Sequence, residues 1–183
     1  ALFELPWFLS GHLIARINGD LADGYSSAEV KATMYASLCF SLFALIFVAR
    51  LIRRRLGGTY FPPLIPIILA CSGPVIYYAI RQPGYAHPFS LFWIAWLIDA
   101  WDESFDTDVP RSLKRWLYLG ALLGLSMLAR PQLALWAVLF IFAAIDDLRK
   151  AAPKELAGTS NIRQWILPAL KKVSYRWALG AAI

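Results

Sequence analysis

The stretch from residue 32 to residue 49 most restricts what this chain can fold into. It contains eighteen successive uncharged residues, between Lys31 and the basic cluster that begins at Arg50. A helix needs about 20 mainly apolar residues to cross a bilayer. Hydrophobic residues make up 59% of the whole chain, and the mean hydropathy is +0.54. The apolar runs lack the alternation of membrane β-strands. The sequence therefore predicts an all-α protein, a polytopic transmembrane helical bundle.

Four more segments have the same apolar character, and glycine or proline residues separate them. The predicted membrane-embedded helices are residues 31–52, 62–80, 88–101, 112–129 and 131–145. Residues 2–17 are more polar, because Glu4, His12 and Arg16 lie within them. This segment either crosses the membrane or, in better agreement with its charges, lies in the interface.

The predicted organisation has four parts. Residues 1–30 end an extracytoplasmic loop and include a membrane-facing helix, and residues 31–147 form the transmembrane bundle of about five helices. Residues 148–174 form a cytoplasmic loop, and residues 175–183 begin a further transmembrane helix. Because this last apolar run is too short to cross a bilayer, we expect the sequence to be an internal part of a longer protein.

Lysine and arginine residues indicate how the helices are oriented. If residues 50–55 are cytoplasmic and the helices alternate in direction, fourteen of the eighteen basic residues lie on the cytoplasmic side. Positive charge near short loops stays cytoplasmic. The outer side then keeps only Arg16, Lys31, Arg81 and Arg130. The net charge of +6 follows from this topology and requires no nucleic-acid partner, so the lipid bilayer is the predicted partner.

One predicted outer loop concentrates groups that could bind a substrate. Arg81, Tyr85 and His87 lie within seven residues, where Pro83 and Gly84 make the chain fold back. A cation, an aromatic ring and an imidazole together would suit an anion or a sugar. The alternative is an interfacial loop in which the arginine extends to the headgroups and the tyrosines join an aromatic belt.

Acidic residues give weaker signals. Asp20 and Asp23 lie in a loop rich in turn residues, and they form either a metal or base site or, more simply, a solvated turn. No cysteine or histidine spacing predicts a metal site, and no nucleotide-binding loop or serine nucleophile elbow occurs. Another group of acids is predicted to form a solvated cytoplasmic loop: Asp99, Asp102, Glu103, Asp106 and Asp108.

The order of several stretches resembles the GT-C superfamily of polytopic membrane glycosyltransferases. The similar members are bacterial relatives of the protein O-mannosyltransferases and of the aminoarabinose transferase. The stretches are "PWFLSGHLIARI" before "DGYS", then "LIFVARLIRRRLGG", "PVIYYAIRQPGYAHPFSLFWIAWLIDAW" and "YLGALLGLSMLARPQLALW". In such proteins a helix ends in a basic cluster, the next rises to an outer arginine, and a glycine-rich helix ends in a basic residue and proline.

The resemblance implies transfer of a hexosyl or pentosyl group from a polyprenyl-phosphate-linked donor to a lipid, glycan or protein acceptor. The reaction would occur on the extracytoplasmic face of a bacterial inner (plasma) membrane. Arg81, Tyr85, His87 and Arg130 would bind the donor phosphate or the substrate. The catalytic acid of the family usually lies in the first outer loop, which would precede Ala1, so no catalytic residue is assigned here. No cofactor is assigned either, although a divalent metal ion is compatible with the family.

A secondary transporter or a lipid flippase is the alternative function. Charged residues at membrane depth and broken helices serve transport as well as catalysis. Transporters of this kind contain repeated halves, and no internal repeat occurs in this sequence. The absence of a repeat favours the transferase.

Overall fold

The computed structural model describes residues 2–57, 64–82 and 85–151. The cytoplasmic loop was predicted at 148–174, but its first four residues belong to the last helix, which ends at Ala151. The rest of that loop and the segment predicted at 175–183 lie outside the described residues. Within the described residues every regular element is a helix and no strand occurs, which confirms the all-α class. In chain order the elements are α1 (Leu5–Asn18), α2 (Ser27–Leu56), α3 (Leu64–Ser72), a π-helix (Tyr77–Arg81), α4 (His87–Glu103), α5 (Leu113–Ala129), a 3-10 helix (Pro131–Ala137) and α6 (Val138–Ala151).

Two helical segments are long and apolar enough to cross a bilayer, judged by length and composition. They are α2 and the continuous stretch Pro131–Ala151, which joins the 3-10 helix to α6. Leu42, Phe43 and Ile46 of α2 are each 53% exposed. Large apolar side chains exposed around a helix are typical of contact with lipid. Association with a membrane is thereby weakly favoured, whereas the five crossings, their orientation and the compartment stay predictions.

A capping box places the start of α2 earlier than the predicted residue 31. Ser26 Oγ accepts a hydrogen bond from the backbone N–H of Glu29 at 3.3 Å, and Glu29 Oε2 accepts one from the backbone N–H of Ser26 at 3.0 Å. These bonds satisfy two donors that the first turn of a helix leaves open. At the other end Gly57 takes a left-handed conformation, with φ of 59°, and closes the helix.

The predicted helix 62–80 is interrupted, and the expectation of a continuous helix there is wrong. Helix α3 ends at Ser72, a bend follows at Gly73, and the chain continues into the π-helix. Pro74 causes the break, because its ring has no N–H and clashes with the carbonyl group four residues earlier. The wider π-helical turn is closed by the bond from Gln82 N–H to the Tyr77 carbonyl at 3.2 Å.

The chain divides into two compact units, Ala1–Trp96 and Leu97–Ile183, so that α4 contributes to both. In the first unit α1 packs on the start of α2, where Gly11 and Ala15 are buried. An aromatic core follows, in which Phe92 contacts Phe40 and Phe47. In the second unit the buried apolar side chains come from the end of α4, α5 and α6: Leu97, Ala100, Trp116, Leu119, Leu122, Leu139 and Ala143.

The predicted solvated loop after the third membrane helix is partly wrong. Helix α4 continues to Glu103, and Asp99 and Asp102 are 2% and 4% exposed within it. Asp106 and Asp108 are exposed, as predicted.

The last predicted helix, 131–145, likewise continues to Ala151. Asp146 and Asp147 near its end form ion pairs with Arg111, and Asp146 also pairs with Lys150. Because these negative charges are neutralised, the helix can extend past them.

Candidate functional site

The first unit brings two of the predicted site residues together in what we call the tyrosine–histidine cluster, formed by Tyr78, Tyr85 and His87. The ring centroids of Tyr78 and His87 are 4.0 Å apart, and those of Tyr85 and His87 are 6.2 Å apart. The third pair, Tyr78 and Tyr85, is separated by 6.1 Å. The predicted proximity of Tyr85 and His87 is therefore present, and Tyr78 joins them.

Local backbone structure positions this cluster. Tyr78 lies in the π-helix, and its backbone N–H bonds to the Pro74 carbonyl at 3.0 Å. His87 is the first residue of α4. Arg81 is exposed at the end of the π-helix, three residues after Tyr78. The arrangement combines aromatic faces, an imidazole and a nearby cation, which together can bind a sugar ring or an anion.

An apolar cavity of about 160 Å³ adjoins the cluster. Its walls are formed by Ser41 of α2, by Pro74 and Val75 at the helix break, by Tyr78, and by His87, Pro88 and Leu91 of α4. Pockets that enclose drug-sized ligands measure about 300–1,000 Å³. The cavity is smaller than such pockets and only partly enclosed.

Arg130 belongs to the second unit, whereas Arg81 belongs to the first. As the sequence predicts, α5 ends at Ala129 and the next helix begins with Pro131. Arg130 between them is extended, with φ of −153° and ψ of 122°, because a residue before proline disfavours the helical conformation. Joint binding of one phosphate by Arg81 and Arg130 stays a prediction.

The loop with Asp20 and Asp23 has the geometry of a turn. Asp23 Oδ1 accepts a hydrogen bond from the backbone N–H of Tyr25 at 3.0 Å, and Gly24 has a φ of 93°. An aspartate that bonds two residues ahead in this way is a common turn former. Both aspartates are exposed. Within the described part of the chain, no group of three or more His, Cys, Asp or Glu side chains is arranged to hold a metal ion.

A buried carboxylate beside this loop was not identified from the sequence. Glu29 is fully buried, and its Oε2 accepts hydrogen bonds from the backbone N–H groups of Gly24 and Ser26 at 2.9 and 3.0 Å. Its Oε1 lies 2.7 Å from Nδ1 of His12, which is 28% exposed. This contact fixes His12 of α1 against α2. It involves Nδ1 of the imidazole ring and not Nε2. The spacing of Ser26 and Glu29 is a capping-box signal that could have revealed this contact.

The second unit contains an ion-pair network around Arg111, which is 3% exposed. Arg111 Nη1 donates to Asp147 Oδ1 at 2.8 Å and to Asp146 Oδ2 at 3.0 Å. Arg111 Nε donates to Ser104 Oγ at 2.7 Å. Lys150 adds a second cation 2.8 Å from Asp146 Oδ2. The sequence assigned Arg111 only a role in membrane topology.

The other side of the network binds aromatic residues. The Arg111 guanidinium lies 4.3 Å from the ring centroid of Phe105, and Trp116 Nε1 donates to Asp147 Oδ2 at 2.8 Å. The network therefore ties the segment between α4 and α5 to α6. Each oxygen of Asp147 accepts at least one hydrogen bond, and such saturation is typical of a structural role.

No protein-family model, curated protein or solved structure matches this chain. The resemblance to GT-C transferases thus rests on the quoted sequence stretches alone.

Proposed function

We propose that this chain is part of an integral membrane glycosyltransferase that moves a sugar from a polyprenyl-phosphate-linked donor to an acceptor on the extracytoplasmic face. The observation that carries the proposal is the tyrosine–histidine cluster, with Arg81 at the end of the adjoining π-helix. In the topology inferred from the basic residues, this end of the helices faces outward.

The groups present suit the charge that develops in such a reaction. The bond between the sugar C1 and the phosphate oxygen breaks, and its electron pair stays on the phosphate. The acceptor oxygen bonds to C1 and loses its proton to a carboxylate base, as the resemblance implies. Arg81 and His87 would donate hydrogen bonds to the departing phosphate, and the tyrosine rings would pack against the sugar.

A transfer assay tests the proposal. The natural protein in membrane vesicles is supplied with radiolabelled polyprenyl-phosphate sugars, and the label that appears in an acceptor is measured. Arg81→Gln should lower the donor-dependent rate about a hundredfold to a thousandfold, the usual effect of removing one donor to a developing anion. Arg16→Gln is the matched control, because Arg16 is also exposed and on the predicted outer side but lies in α1. Equal rates for the two variants would contradict the proposal.

Transport of a lipid or a small solute is the second candidate, and the break between α3 and the π-helix favours it. Discontinuous helices commonly form the binding sites of secondary transporters. A reconstituted protein that translocates a labelled lipid-linked sugar, and transfers no sugar, would support this function instead.

A further inference from the structure

One face of α2 changes from apolar to cationic along its length. Leu42 and Ile46 are each 53% exposed, and Arg50 and Arg53 beyond them are exposed as well. Residues three or four positions apart are neighbours on a helix surface. These four residues follow one another by four, four and three positions. They therefore form one continuous row, which we call the apolar–arginine row.

The opposite face of α2 packs against the protein. Ser41 and Ala44 are 3% and 0% exposed there. The ring of Phe47 lies 5.3 Å from that of Trp96 and 5.9 Å from that of Phe92, between ring centroids. The row therefore lies on the side of the helix away from the aromatic core. In a helix that is long and apolar enough to cross a bilayer, such a side faces the lipid.

The row is strongly positive at its arginine end. Arg54 and Arg55 add two further cations to the last turn, and α2 contains no aspartate or glutamate from residue 30 to residue 56. A guanidinium group is always protonated, and its planar fork of N–H donors can bind two phosphate oxygens. The preference for positive charge on the cytoplasmic side explains the number of these arginines. It does not require two of them to continue an exposed apolar stripe.

The order of groups along the row matches that of a phospholipid. Ile46 and Arg53 are seven positions apart, which corresponds to about 10 Å along the helix axis. A phospholipid likewise has apolar chains that end in a phosphate within the interfacial layer. We propose that the row binds an anionic phospholipid of the predicted cytoplasmic leaflet, with one acyl chain against the two apolar side chains and the phosphate between the two arginines.

A net negative charge on the lipid is part of the proposal. Each lysine or arginine near the membrane surface strengthens the binding of anionic lipid about fivefold. Phosphatidylglycerol has a net negative charge, whereas the choline group of phosphatidylcholine neutralises its phosphate. The row shares no residue with the tyrosine–histidine cluster. The proposal requires that α2 lies in a membrane, and it does not require that the protein transfers a sugar.

Lipid titration in uncharged detergent micelles tests the site. The purified natural protein has ¹³C-labelled isoleucine methyl groups, and dioleoyl phosphatidylglycerol or dioleoyl phosphatidylcholine is added. Phosphatidylglycerol should cause a saturable shift of the Ile46 methyl signal, and phosphatidylcholine should bind at least tenfold more weakly. Ile68 of α3 is the reference, because it is 60% exposed and no charged residue occurs from residue 62 to residue 80. Its signal should respond equally to the two lipids.

Two double variants with the same net charge separate the row from general electrostatic attraction. Arg50→Gln with Arg53→Gln should weaken phosphatidylglycerol binding about ten- to thirtyfold, because two cations near the surface are lost. Arg55→Gln with Lys114→Gln is the matched control and should bind as the wild type does. Arg55 is exposed in the same turn but points about 140° away from Arg50 around the helix. Lys114 is exposed in the first turn of α5.

Glycerol phosphate distinguishes a lipid site from a site for free phosphate, since it has the phosphate charge but no acyl chain. It should not shift the Ile46 signal at concentrations where phosphatidylglycerol saturates the site. The proposal is overturned if glycerol phosphate binds as tightly as the lipid, or if phosphatidylcholine shifts Ile46 with the affinity of phosphatidylglycerol. It is equally overturned if the control variant loses as much affinity as Arg50→Gln with Arg53→Gln.

Discussion

Replacement of Asp147 gives the sharpest test of the network in the second unit. Asp147 is fully buried, and its Oδ1 accepts two hydrogen bonds from Arg111, from the backbone N–H at 2.9 Å and from Nη1 at 2.8 Å. Its Oδ2 accepts one from Trp116 Nε1. Asp147→Asn keeps the shape of the side chain but has one acceptor oxygen instead of two. Its amide group must then point at a donor, either of Trp116 or of Arg111.

The expected loss of stability follows from these contacts. A buried donor left without an acceptor costs about 1–3 kcal/mol. Removing one member of a buried ion pair costs about 3–5 kcal/mol. Because Asp146 still neutralises part of the Arg111 charge, we expect Asp147→Asn to lower the free energy of unfolding by about 3 kcal/mol. Asp146→Asn is the matched control. Its carboxylate is 20% exposed, so a loss of about 1 kcal/mol is expected.

Reversible unfolding in mixed micelles measures both variants. The purified protein is unfolded with increasing SDS, and the helical circular dichroism signal gives the free energy of unfolding. The double variant Arg111→Met, Asp147→Leu should recover part of the loss, because it leaves neither charge buried alone. If Asp147→Asn costs no more than Asp146→Asn, the network does not stabilise the fold as we argue.

Three further predictions concern other parts of the chain. In a protein without its native thiols, a cysteine at Tyr85 should react with an impermeant maleimide on intact cells and a cysteine at Arg54 should not; the reverse would overturn the orientation. Arg130→Lys should preserve folding but slow donor use about tenfold to a thousandfold, because lysine cannot bind two phosphate oxygens at once; wild-type kinetics would leave Arg130 as a headgroup anchor. Gly11→Ala should lower the free energy of unfolding by about 1–3 kcal/mol, because the added Cβ would lie 2.8 Å from Ala32 Cβ; unchanged thermal unfolding would contradict this packing.

Local chemistry made parts of the fold predictable. The turn at Arg130 and Pro131 follows from the backbone restriction that proline imposes on the residue before it. The end of α2 was predicted at residue 52, but the helix continues through the basic cluster to Leu56, where the left-handed Gly57 closes it. Proline also explains the break at Pro74, which the sequence contained but the apolar pattern concealed. A run of apolar residues has the same hydropathy pattern whether its backbone forms one helix or an interrupted one.

The burial of charged residues whose partners are far away in the chain was harder to predict from the sequence. Asp99 and Asp102 were expected in solvent because they belong to a cluster of charges, yet both are buried in α4. Arg111 is likewise buried because Asp147, 36 positions later in the chain, neutralises it. A charged residue is accepted in the interior only when such a partner exists. Sequence patterns of period two or 3.6 contain no information about a partner that distant.

The hydrogen-bond partners of each polar group also indicate where a ligand could bind. In the Asp147 contacts and in the Glu29 contacts, both carboxylate oxygens accept hydrogen bonds from the protein itself, so these groups stabilise the fold. Arg81 and Tyr85 differ, because both side chains are exposed at the end of the helices that carry the tyrosine–histidine cluster. A side chain that a ligand can reach is a better candidate for binding than a carboxylate whose oxygens the protein itself already satisfies. The surroundings of the tyrosine–histidine cluster, rather than Asp147 or Glu29, are therefore where a ligand can bind.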